Sequence, residues 1–193
     1  MKATLLAGAL TLTAVSALAA PVTYKMDPAH TYPSFEADHM GGVSKWRGKF
    51  NSTSGTFTVD KEAKSGTVDL SIDVASVDFG NDKLNEHSLK EAAMFDVAKF
   101  PTATYKGKIS KWGANGPEEI SGDLTLHGVT KPVTLKVNSW LCKQNPMSKK
   151  EVCGADAEAT INRADFGVNY GVQMGFKPEV LLRLTVEGSP ATT

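Results

Sequence analysis

The chain has 193 residues, 41% of them hydrophobic, and its 21 basic residues balance its 21 acidic residues. This length is sufficient for one domain with a substantial hydrophobic core. The balanced charge gives no electrostatic reason to expect binding to nucleic acid or to an anionic membrane surface.

Residues 1–19 are typical of an export signal. Lys2 precedes an apolar run that ends in Ala17-Leu18-Ala19, the pattern of a signal-peptidase site. We expect cleavage after Ala19, which leaves a single exported domain over residues 20–193. An uncleaved membrane anchor is the alternative, but the run is short and rich in Ala and Thr. No later stretch approaches transmembrane length, so we expect no stable membrane insertion.

Alternation of apolar and polar residues predicts a succession of β-strands. The clearest strand is TVDLSIDV, residues 67–74, and a turn near Ser54-Gly55 is predicted before the strand at 57–60. Because successive strand side chains point to opposite faces, each strand has one apolar and one polar face. The same period marks the ranges 22–27, 35–39, 46–51, 57–60, 103–109, 120–126, 133–138, 155–162 and 180–187.

One segment between the strands has helical composition. We expect this helix to begin at Asn81-Asp82, where either side chain can cap the first turn, and to run through KLNEHSLKEAAMF to Phe95. Its apolar residues form no continuous stripe. The segment is therefore predicted to lie as a lid or plug between strands.

Eight to ten alternating strands with one short helix and no βαβ rhythm favour an all-β fold, an antiparallel barrel of about eight strands. An immunoglobulin-like sandwich is disfavoured because Cys142 and Cys153 are too close in sequence to bridge two sheets. In an exported chain this pair predicts a structural disulfide at one hairpin. The alternative, a redox or metal-binding thiol pair, lacks C-x-x-C spacing and nearby histidines.

The inward faces combine large apolar residues with small ones, and three successive inward positions on one strand are Ala155, Ala157 and Ala159. An eight-stranded barrel is just wide enough to be filled by side chains or to hold one small ligand. The residues alone therefore leave an apolar cavity and a packed core equally open. In a cavity the ligand would be a lipid tail, because each buried methylene contributes about 0.8 kcal/mol.

Polar candidates for a functional site are few, and no metal site is predicted, because none of the four histidines has the spacing of a zinc ligand pair. His39, His87 and Arg163 are candidates for the mouth of a cavity. The alternatives are a hydrogen-bonded structural imidazole for His39, a solvated face for His87, and a salt bridge from Arg163 to Asp165 or another carboxylate. No nucleophile, base and orienting group come together, so the sequence favours a binding protein over an enzyme. The four histidines are His30, His39, His87 and His127.

Six segments resemble the YceI-like family of exported bacterial proteins and occur in the order found in that family. The most specific are GDLTLHGVTKPV at 122–133 and FDVAKFPT at 95–102. The resemblance implies a lipocalin-like antiparallel barrel around a long apolar tunnel, with a helix beside it. It also implies a polyisoprenoid chain or similar long-chain amphiphile as ligand, and no other cofactor. The Cys142–Cys153 hairpin and the 169–180 loop depart from the family pattern.

With this resemblance, a periplasmic protein that transports, stores or sequesters such a lipid is the leading hypothesis. One alternative is a partner-binding module of a stress or membrane redox system, in which the barrel is only structural. Another is an enzyme acting on an isoprenoid, with His39 as its best candidate, and a homodimer is left open. Ten inward side chains are predicted to line the tunnel: Phe35, Phe50, Phe57, Leu70, Ile72, Tyr105, Leu124, Leu126, Leu135 and Leu182.

Overall fold

A computed structural model of the protein describes residues 20–191, and the predicted signal peptide lies outside these residues. The helices are α1 (Asp82–Lys90) and three short 3-10 helices at Val74–Ser76, Arg163–Phe166 and Val172–Met174. The strands are β1 (Val22–Met26), β2 (Tyr32–His39), β3 (Ser44–Phe50), β4 (Thr53–Asp60), β5 (Ser65–Asp73), β6 (Val77–Asp78), β7 (Thr102–Trp112), β8 (Pro117–Leu126), β9 (Val129–Gln144), β10 (Glu151–Asn162) and β11 (Glu179–Pro190).

All strand pairings in the described chain are antiparallel, in the order β1-β4-β5-β7-β8-β9-β10-β11-β2-β3-β6. Pairing of β1 with β11 closes the first eight strands of this order into a barrel. β1 pairs with the C-terminal end of β11, whereas β2 pairs with its N-terminal part. From β2 the sheet continues through β3 to β6. The predicted all-β antiparallel barrel with one short helix is therefore confirmed.

The predicted turn at Ser54-Gly55 is wrong, because β4 already begins at Thr53. Gly55 lies within the strand at a φ of 151°, where a Cβ atom would lie 2.1 Å from the carbonyl oxygen of Asp69. Only glycine permits this close approach of β4 to β5. The glycine that suggested a turn instead allows a strand to pack tightly.

Helix α1 begins where the sequence predicts, since Asn81 Oδ1 accepts a hydrogen bond from the Leu84 amide at 3.1 Å. It ends at Lys90 and does not reach Phe95. The chain folds back after α1, and the Phe95 amide donates to the Ser88 carbonyl at 3.1 Å. This hydrogen bond satisfies a carbonyl at the end of the helix, and the Phe95 ring packs against Phe35 and Phe50.

The two strands that flank β2 are tied to it by one carboxylate on its outer face. Glu36 accepts from Arg47 of β3, with Nη2 and Oε2 3.0 Å apart, and from Arg183 of β11. Burial alone would raise the pKa of this carboxyl, but the positive charges of Arg183 and Arg47 outweigh that effect and lower it. Glu36 therefore remains ionised and joins three strands.

Cys142 of β9 and Cys153 of β10 are register partners joined by a disulfide with an S–S distance of 2.02 Å.

Within residues 20–191, no helix combines the length and the hydropathy needed to cross a bilayer.

We expect joint substitution of Cys142 and Cys153 by alanine to lower the free energy of unfolding by about 2–3 kcal/mol, because the bond closes a short loop. For a domain of this size the melting temperature should fall by roughly 4–12 °C, measured by calorimetry. Met147→Ser is the matched control, because Met147 lies in the same hairpin with 90% of its surface exposed. An unchanged melting temperature in the double variant would contradict a stabilising role.

Candidate functional site

The barrel encloses an apolar cavity of about 320 Å³. Its walls come from β2, β3, β5, β7, β8, β9, β10 and β11, and α1 contributes Leu84 and His87. Nine of the ten side chains predicted for the tunnel line this cavity: Phe35, Phe50, Leu70, Ile72, Tyr105, Leu124, Leu126, Leu135 and Leu182.

The tenth, Phe57, lies in a different place, a separate cavity of about 40 Å³ deeper in the barrel. Phe57 stacks on Tyr24 with ring centroids 4.9 Å apart and meets the ring of Trp140 edge-on at 6.0 Å. These rings fill the barrel end away from the large cavity. Ala155 and Ala157, which suggested a cavity from the sequence, also line this small space and not the large one.

Four polar side chains of the large cavity define what we call its mouth, namely Asp38, His39, His87 and Arg163, and Ser34 and Arg183 are further polar residues of the lining. The His39 ring stacks on Trp46 at 4.1 Å, and the His87 ring meets Tyr170 edge-on at 5.2 Å. Both imidazoles therefore lie against aromatic faces at the cavity wall.

Asp38 holds two loops of the mouth together. Its Oδ2 accepts from the Gly41 amide at 2.9 Å and from the Lys177 amide at 3.0 Å. The backbone of the β2–β3 turn also approaches Gly175, since a Cβ atom at Gly41 would lie 3.1 Å from the Gly175 carbonyl oxygen. Two loops distant in sequence therefore form one rim.

Arg163 organises an earlier part of the same β10–β11 connection. Its Nη1 donates to the Val168 carbonyl and its Nη2 to the Tyr170 carbonyl, each at 2.8 Å. Burial lowers the pKa of the guanidinium, and the charge of Asp38 opposes that effect. The salt bridge to Asp165 that the sequence left open does not form, since these donors serve the backbone. Arg163 nevertheless lines the cavity beside His39 and His87.

A model of the YceI-like domain matches residues 24–188. The chain belongs to the YceI-like family. The protein YceI of Salmonella arizonae is 35% identical over 181 residues, which cover 93% of this chain and 92% of that protein. A UPF0312 protein of Pseudomonas paraeruginosa is 35% identical over 188 residues, which cover 96% of this chain and 95% of that protein.

Two solved structures share the YceI-like fold. BcnA of Burkholderia cenocepacia has a TM-score of 0.69 at 24% identity, covering 86% of this chain and 99% of that one. A polyisoprenoid-binding domain from Saccharophagus degradans has a TM-score of 0.62 at 17% identity, covering 88% of this chain and 99% of that one. At these identities the likeness concerns the fold alone.

Several side chains of the YceI-like cavity come from loops that sequence reasoning did not assign to it. Phe35 contacts Phe79 and Phe95 edge-on, with ring centroids 5.4 Å and 6.3 Å apart. The FDVAKFPT motif was the available signal for Phe95, because it concentrates apolar residues after α1. The unpredicted lining residues include Trp46 on β3 and, from connecting segments, Phe79, Met94, Phe95, Val168, Tyr170 and Phe176.

The described part of this YceI-like chain contains one cluster of potential metal ligands within 4.8 Å of one another, namely Cys142, Glu151 and Cys153. Both sulfur atoms are joined in the disulfide, which removes them as thiolate ligands. Glu151 accepts a hydrogen bond from the hydroxyl of Tyr24. The cluster is accounted for by these structural contacts.

Proposed function

We propose that this YceI-like protein is a periplasmic binding protein that holds a polyisoprenoid or similar long-chain amphiphile, for transport, storage or sequestration, and that it is not an enzyme. The observation that carries the proposal is an apolar cavity of about 320 Å³ with the polar side chains of the mouth on its lining. A prenyl tail matches such walls, because each buried methylene contributes about 0.8 kcal/mol without needing a polar partner. Export depends on residues 1–19.

In this proposal the nine lining residues from the predicted set contact the tail, and the mouth residues His39, His87 and Arg163 face the head group. Support comes from the related fold of the Saccharophagus degradans domain, which is described as polyisoprenoid-binding. The aromatic rings around Phe35 suit a branched unsaturated chain, because aromatic faces and edges offer large apolar contact areas.

The test is to express the full chain, purify the exported protein without detergent, and record native mass spectra. We expect one prenyl lipid per chain, identified by extraction and tandem mass spectrometry. Protein that is repeatedly empty, and that also fails to bind added farnesol or geranylgeraniol in calorimetry, would overturn the proposal.

A partner-binding module with a structural barrel is the second candidate. Three exposed apolar side chains on the mouth loops favour it, because such residues often mark interaction surfaces. Met40, Val43 and Met174 have 57%, 76% and 65% of their surface exposed. Under this hypothesis, filling the cavity leaves cellular function intact, whereas replacing these three residues with serine removes it.

A further inference from the structure

The end of β9 and the start of β10 form a hairpin, residues 141–152, which we call the basic hairpin. Strand β8 pairs with β9 only as far as Lys136, and β11 pairs with β10 only from Cys153 onward. In the described sheet, the two arms of the basic hairpin therefore pair with each other and project beyond their neighbouring strands.

The basic hairpin concentrates positive charge in a chain whose basic and acidic residues balance overall. Lys143, Lys149 and Lys150 are exposed, and no acidic residue occurs between positions 141 and 150. The one carboxylate of the hairpin, Glu151, has its Oε2 atom 3.5 Å from the Nζ atom of Lys61 on the β4–β5 turn. The projecting part of the hairpin is therefore cationic.

The apex of the basic hairpin is held in one conformation by its own contacts. Asn145 Oδ1 accepts hydrogen bonds from the amides of Met147 at 2.8 Å and Ser148 at 3.0 Å. The disulfide between Cys142 and Cys153 joins the two arms below the apex. A segment ordered in this way loses little conformational entropy when it binds a partner.

Apolar side chains accompany the lysines on the basic hairpin. Met147 at the apex has 90% of its surface exposed, and Leu141 on the β9 arm has 63% exposed. An apolar apex with lysines on both arms suits the interface of an anionic bilayer. The methionine can enter the boundary between head groups and acyl chains, while the lysine stems extend so that their ammonium groups meet phosphates.

The same features do not suit a stable protein interface. Such an interface buries about 800 Å² on each partner, and lysine is depleted from its apolar core. The basic hairpin offers two separate apolar side chains, Leu141 and Met147, among lysines. A bilayer surface requires no complementary shape, so the observations favour a lipid surface over an acidic protein.

The basic hairpin and the mouth lie at opposite ends of β10. This strand runs from Glu151 in the hairpin to Asn162, which directly precedes Arg163 of the mouth. At about 3.3 Å per residue its ends are about 35 Å apart. The rings of Phe57 and Trp140 fill the barrel end nearer the hairpin. A protein bound through the hairpin therefore directs its mouth away from the bound surface.

We propose that the basic hairpin docks the protein reversibly on the surface of an anionic phospholipid bilayer, with the mouth facing away from that bilayer. The inference goes beyond the proposed function and does not rest on it, because the hairpin contributes no residue to the large cavity. If both hold, the docked protein exchanges its ligand on the side away from the bilayer that holds it.

The experiment is vesicle flotation with purified exported protein from the full chain. One set of vesicles contains equal amounts of phosphatidylcholine and phosphatidylglycerol, and the other contains phosphatidylcholine alone. Wild-type protein should float with the anionic vesicles alone and be released by added salt, which screens exposed charges. Joint substitution Lys143→Gln, Lys149→Gln and Lys150→Gln should weaken binding about a hundredfold, since each lysine near an anionic surface contributes about fivefold.

The matched control is joint substitution Lys45→Gln, Lys83→Gln and Lys177→Gln, which changes the net charge equally but leaves the hairpin intact. These exposed lysines lie on β3, α1 and the β10–β11 connection. The control should bind anionic vesicles within a fewfold of wild type. Met147→Ser should weaken binding about tenfold, because the apex then lacks a side chain that gains from leaving water.

Wild-type protein that does not float with anionic vesicles overturns the proposal and leaves an acidic protein as the partner for the basic hairpin. Equal loss in the two lysine triple variants, or unchanged binding in Met147→Ser, also overturns it. Melting temperatures equal to that of wild type show that the hairpin variants remain folded. Farnesol affinity tests the proposed function separately, and it should be the same in the hairpin variants as in wild type.

Discussion

Ala37→Trp is expected to weaken the binding of farnesol by about a hundredfold. Ala37 lines the large cavity from β2, between its register partners Trp46 and Val180. An indole at this position would occupy the space of at least four tail carbons. Losing the burial of four methylenes costs about 3 kcal/mol, which corresponds to about two orders of magnitude in affinity. Calorimetric titration measures the change.

Ala37→Ser is the control for this variant, because it changes polarity with little change in volume and should bind farnesol within a fewfold of wild type. The melting temperature of Ala37→Trp shows whether the barrel remains folded. Unchanged farnesol affinity in a folded tryptophan variant would contradict tail binding in the large cavity. In cells, loss of function would support lipid carriage, and retained function would support the partner-binding alternative.

Arg163→Met is expected to lower the free energy of unfolding by about 3 kcal/mol, because it removes two hydrogen bonds from a charged donor, and each contributes about 1.5 kcal/mol, the lower end of the range for charged donors. The Val168 and Tyr170 carbonyls lose these donors. For a domain of this size the melting temperature should fall by roughly 6–12 °C. Amide exchange across residues 164–170 should accelerate, because Arg163 holds this loop closed.

Arg163→Lys separates loop support from head-group recognition. Lysine keeps the positive charge, but its single nitrogen cannot reproduce the two-pronged contact of the guanidinium. If loop support dominates, the lysine variant should be destabilised nearly as much as the methionine variant. If charge at the mouth dominates, lysine should restore the binding of farnesyl phosphate while the melting temperature remains low. A melting temperature unchanged in both variants would contradict the structural role of these hydrogen bonds.

The strand faces could be predicted because a period of two is a local property of the chain. Leu70, Tyr105 and Leu124 occupy apolar positions of three separate strands, and the structure makes them successive register neighbours. The mouth could not be predicted in the same way. Phe79 and Phe176 lie in connecting segments without periodicity, and their place at the cavity depends on how those segments fold over the barrel end.

The sequence by itself determined the family, the antiparallel barrel and the side chains that face inward, because each depends on motif order or on alternation along single strands. Only the tertiary structure decided where the interior is empty. Ala155 suggested free space, but its register partner Trp140 occupies much of that region. A cavity is the volume left after side chains from distant strands have met, so no single strand contains the information that places it.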